Sequence, residues 1–157
     1  MKKSAYILVI CALSIIGYYT SESFFSQSCS MLSMDKVILK DIANNNDLYK
    51  PTVMAVISGL LPLCFLLIQK TADLKTRFHR VVSALIIILS GLVFWRLRIF
   101  GLNSEFQILS EYNTLYNLPA TLDRSYLKFE VYLLMGFIVG TLIAILIFRD
   151  KSRPLMF

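Results

Sequence analysis

The chain has 157 residues, of which 57% are hydrophobic, and carries a formal net charge of +6. Its mean hydropathy of +0.66 exceeds what the surface of a water-soluble domain tolerates, so the composition points to a membrane protein. A pI of about 9.3 invites a nucleic-acid reading, but the excess charge is accounted for by its placement between spans, so no nucleic-acid partner is expected.

The first apolar run covers residues 5–19 and follows Met1, Lys2 and Lys3 in the manner of a signal peptide. No A-x-A-like cleavage site follows it, and Ser26-Gln27-Ser28 before Cys29 lacks the aliphatic residue of a lipoprotein site, so it reads as an uncleaved first span. Residues 20–50 then form a loop, Ser-rich at first and ending in Asn44 to Asn46. Within it Met31, Met34, Ile38 and Ile42 recur at steps of three and four, which predicts a short amphipathic helix lying on the membrane or capping the bundle.

Spans two and three, 52–69 and 81–97, flank a short basic loop at 70–80 and are predicted to be antiparallel neighbours. Span two carries Ala55 and Gly59 one turn apart, and Pro62 predicts a kink because it removes a backbone donor and crowds the Ser58 carbonyl. Span three repeats the small pair Ser83-Ala84 as Ser90-Gly91 and runs into Trp95-Arg96-Leu97-Arg98. The two arginines lie about 200° apart around a helix, so they cannot face the same way. One is expected to anchor at the interface, and the other to engage a partner or one of the carboxylates Glu105, Glu111, Asp123 and Glu130. Residues 98–130 form the second loop, in which "EFQILSEYNTLYNL" fits either a helix begun by Asn103 or a hairpin turning at 101–104. Its Phe106, Tyr112, Tyr116 and Tyr126 suit a membrane-interface belt or a surface for a partner.

Span four, 131–148, holds twelve Leu, Ile, Val or Phe residues and aligns Gly136, Gly140 and Ala144 on one face. Small residues at that spacing let a second helix approach closely, either within the bundle or from another protein. The fold expected is therefore an all-α integral membrane domain of four helices in a single unit. The segments 1–4, 69–80 and 149–157 hold nine Lys/Arg against two acids, and the segments 20–50 and 96–130, with Arg96 counted outside, seven against eight. By the positive-inside rule both termini are cytoplasmic and the two long loops are outside.

Candidate chemistry is sparse. Cys29 alone lies outside while Cys11 and Cys64 lie within spans, which does not supply the paired thiols of disulfide exchange. His79 sits among Arg77 and Arg80, a setting that repels a metal ion. The cores of the spans carry no ionisable residue of the kind that marks a proton or ion path. No catalytic, metal or cofactor site is expected. Partners are expected through helix packing, with Gly136, Gly140, Ala144, Ala55, Gly59, Arg96 and Arg98 as the candidate residues, and membrane lipids around them.

The outline resembles the four-span immunity proteins that protect bacteria from pore-forming colicins of the colicin A type. The resemblance rests on a long first outer loop, the basic turn "KTADLKTRFHR", a third span running through "FWRLRIFGLNSEFQIL" and a short basic tail "RDKSRP". It implies a non-enzymatic protein of the bacterial inner membrane that recognises the toxin's helices within the bilayer and blocks channel opening. The alternative is a structural or regulatory subunit of a larger membrane complex.

Overall fold

The computed structural model describes residues 3–32, 37–40, 49–72, 76–116, 120–123 and 126–148. The basic tail at 149–157, the Asn triplet and the side chains of Tyr112, Tyr116 and Asp123 lie outside the described residues. Four helices dominate the chain: α1 (Lys3–Ser30), α2 (Tyr49–Thr71), α3 (Arg77–Tyr116) and α4 (Phe129–Phe148). Each is long and apolar enough to cross a membrane, which makes the chain a four-helix membrane protein.

Two helices outrun their spans. The 40 residues of α3 extend about 60 Å, twice the roughly 30 Å hydrocarbon thickness of a bilayer. The span expected to stop at 97 therefore continues as helix through Gly101, where an added Cβ would meet nothing within 4 Å and no turn requires the glycine. The hairpin at 101–104 does not form. Likewise α1 does not stop at 19 but carries the Ser-rich stretch to Ser30. Its hydroxyls bond back along the helix, Ser21 to the Tyr18 carbonyl at 2.9 Å and Ser28 to the Phe24 carbonyl at 2.7 Å, which satisfies them without breaking it.

Beside the four helices of this all-α fold, the described loop residues form one two-stranded ribbon. Val37–Lys40 form β1, which pairs in parallel with β2 (Ala120–Asp123), Val37 opposite Ala120 and Lys40 opposite Asp123. The amphipathic helix expected over this stretch is thus replaced, at Val37–Lys40, by a strand. Pairing with a segment some eighty residues away satisfies backbone groups that a lone helical turn leaves open. The two strands tie the loop after α1 to the loop after α3.

Helix neighbours follow chain order within two pairs and depart from it between the pairs. α1 packs on α2, α3 packs on α4, and the two pairs meet mainly through α2 and α4. Spans two and three, expected to be neighbours, barely touch. The reason is complementarity of surface: α3 offers Gly91 to Gly136 of α4, a closer fit than α2 provides. α2 runs as continuous helix through the buried Pro62.

Candidate functional site

Where α1 ends and α4 begins, the middle of α3 carries a dense set of side-chain interactions. Arg98 is at its centre. Its Nε donates to the Leu127 carbonyl at 3.1 Å and its Nη2 to the Tyr126 carbonyl at 2.9 Å, while Nη1 lies 3.6 Å from Glu105 Oε1. The guanidinium also sits 5.1 Å from the Tyr132 ring centroid and 5.5 Å from that of Tyr126. The Tyr126 hydroxyl in turn donates to Glu105 Oε2 at 3.4 Å. One side chain thus fastens α3 to the turn that opens α4.

That turn needs fastening. Lys128 has a φ of 48°, in the left-handed region that costs a non-glycine residue roughly 1 kcal/mol or more. Its carbonyl accepts from the amides of Val131 and Tyr132, starting the helix. The two carbonyls just before it are those held by Arg98. Charge-assisted bonds of this kind contribute about 1.5–3 kcal/mol, enough to offset the strained residue. The ion pair adds less, since Glu105 is 43% exposed and water screens it.

A second fastening joins α1 to α3 at the same end. Trp95 Nε1 donates to Ser28 Oγ at 3.0 Å, and the Phe24 and Trp95 rings lie 5.6 Å apart. Asn103 donates from Nδ2 to the Met31 carbonyl at 3.3 Å, and Phe25 meets Phe129 edge-on at 6.0 Å. Beneath these bonds Leu102, Phe106, Leu127 and Phe129 are essentially inaccessible. The result is a closed hydrophobic cap that joins the end of α1, the middle of α3 and the start of α4.

The small residues singled out in the sequence serve a different purpose. A Cβ on Gly136 would come within 2.6 Å of the Gly91 Cα, and one on Gly140 within 2.9 Å of the Ile87 Cα and the Ser90 Cβ. Phe137 in turn lies over Gly91. Ala144 is fully buried. The stripe on span four is therefore filled by α3 of the same chain, and the groove for a foreign helix is closed. On the other pair, Gly59 faces Ser14 and Gly17 faces Ser58, so α1 and α2 meet by the same device; Ala55 is half-buried nearby. Sequence reasoning missed Gly17 and Ser14, although their place in an apolar span and their spacing of three were a usable signal.

Arg96 stands apart from its neighbour. It is exposed, its guanidinium is 5.8 Å from the Trp95 centroid, and it donates to Met31 Sδ at 3.5 Å. Of the four expected carboxylates only Glu105 reaches an arginine among the described residues; Glu111 is exposed and Glu130 occupies the first turn of α4. At the opposite end His79 lies between Phe78 and Phe148, with Nδ1 buried and unbonded. Among the described residues no three His, Cys, Asp or Glu side chains cluster as metal ligands, and the cysteines form no disulfide. Comparison with protein-family models, curated proteins and solved structures finds no match to this chain.

Proposed function

We propose that the chain is a non-enzymatic protein of the bacterial inner membrane that confers immunity to a pore-forming toxin, binding the toxin's helices within the bilayer and blocking channel formation. The observation that carries this reading is the combination of fixed helix pairs with spans whose cores hold no ionisable residue. A conducting or pumping protein needs polar groups at depth and helices free to move. Here α3 is locked to α4 by backbone-to-backbone contact and to its first turn by Arg98. Such a body suits recognition, in which a preorganised surface loses little entropy on binding.

The positive-inside balance puts both termini in the cytoplasm and the Arg98 cap in the periplasm under this reading. Because the glycine faces are filled, the toxin is met on the outward faces of the helices or on the cap. The test is survival: sensitive bacteria producing the chain are challenged with purified pore-forming toxins, first any encoded beside its gene. Protection against one of them is the expected result, and undiminished killing by all of them removes the reading.

A second reading, a structural or regulatory subunit of a larger membrane complex, draws on α1. It is the least enclosed of the four helices, with Ile7, Leu8, Val9, Ile15 and Ile16 turned outward. Purification in mild detergent distinguishes the two, since a subunit carries its complex with it and an immunity protein emerges as an 18.0 kDa chain without one.

A further inference from the structure

α3 has one face that no other helix covers. Leu89, Leu92, Val93, Arg96, Leu97 and Phe100 recur at steps of three and four, so they form a single stripe, and they line an open furrow of about 380 Å³. Its apolar members are all exposed, from 43% at Leu92 to 73% at Phe100. Over the eleven steps from Leu89 to Phe100 the stripe runs about 16 Å, comparable with the roughly 15 Å hydrocarbon depth of one leaflet. One cation stands in it. Arg96 faces no carboxylate within ion-pair distance among the described residues, and the thioether of Met31 is a weak acceptor for one of its five donors. Arg98, two residues on, directs all three of its nitrogens inward.

We propose that this stripe is a binding site for an anionic phospholipid, whose phosphate takes the free donors of Arg96 while an acyl chain lies along Val93, Leu92 and Leu89. Charge and shape both select that occupant. A guanidinium pairs with a phosphate through two parallel bonds, and the furrow beside it is almost wholly apolar. A zwitterionic headgroup brings its own cation to the same spot and gains less. A polypeptide helix is disfavoured because it would have to place an acid at this level opposite a smooth row of leucines. The site does not depend on the immunity reading, so either can fail alone.

The full chain in mild detergent is titrated with phosphatidylglycerol and with phosphatidylcholine of the same acyl length, and bound lipid is counted by native mass spectrometry. Phosphatidylglycerol is expected to be retained in preference. Arg96→Gln is expected to lower its retention about tenfold, in keeping with loss of a charge-assisted contact, while Arg96→Lys keeps part of it. Val93→Trp fills the furrow without touching the cation and is expected to lower retention as well. Equal retention of both lipids by the unaltered chain overturns the proposal. So does undiminished phosphatidylglycerol in Arg96→Gln or in Val93→Trp, or a polypeptide found in place of lipid.

Discussion

The Arg98 cap and the middle of the bundle are built on opposite principles. In the cap the buried groups are large: Phe106, Phe129, Leu102 and Leu127 exclude water from one another. In the middle the contact points are small, with Gly91 against Gly136, Ile87 and Ser90 against Gly140, and Ser14 against Gly59. The solvent explains the contrast. Under the proposed topology the cap stands beyond the bilayer, where water rewards burial at about 25 cal/mol per Å² of apolar surface, so bulk stabilises. Within lipid that driving force is absent, and helices gain only by approaching closely, so bulk obstructs. The same substitution should therefore have opposite consequences in the two regions.

The largest effect is expected from emptying the cap. Phe106→Ala should destabilise the chain by about 3–5 kcal/mol in reversible unfolding from mixed micelles. A loss below about 1 kcal/mol would mean that the cap does not hold the fold. Next comes filling the middle, where Gly136→Leu forces a side chain into the Gly91 backbone and should cost about 3 kcal/mol. Breaking the joint between the regions is expected to come third. Arg98→Gln leaves the Tyr126 and Leu127 carbonyls short of donors and should cost about 2 kcal/mol, with faster amide exchange at the first turn of α4 as its local signature. Smallest is Leu142→Ala, on a lipid-facing position 55% exposed, which should stay within about 0.5 kcal/mol. Equal effects of Gly136→Leu and Leu142→Ala would show that α4 has no privileged face.

Much of this contrast is legible in the sequence, but unevenly. The spans stand out because lipid demands uncharged apolar runs, and the small-residue faces stand out because close approach demands them. Charge and serine mask the ends of α1 and α3. Arg96, Arg98 and Gly101 look like a helix stop, yet Trp95, Ile99, Leu102, Phe106 and Leu109 continue at alternating steps of four and three, a stripe that marks a helix with a buried side. On that stripe Arg98 lies between Trp95 and Leu102, which already places it inward and Arg96 outward. The parallel pairing of β1 with β2 left no comparable trace, since neither four-residue strand carries a local signal of its distant partner. Nor does a stripe of glycines reveal whose helix fills it; only the folded chain shows that α3 does.

The glycine faces are spent on pairs within this chain rather than held open for a partner, and cross-linking in the membrane can show it. A Cβ placed on Gly59 lies 3.7 Å from the Ser14 Cβ, inside the roughly 3.5–4.5 Å range of a disulfide. With Cys11, Cys29 and Cys64 replaced by serine, a protease site inserted between α1 and α2, and cysteines at positions 14 and 59, mild oxidation should lock the helices together. After cleavage the two fragments should run as one band until reduced. Fragments that separate without reductant, or cross-links formed only between copies of the chain, would contradict pairing within the chain.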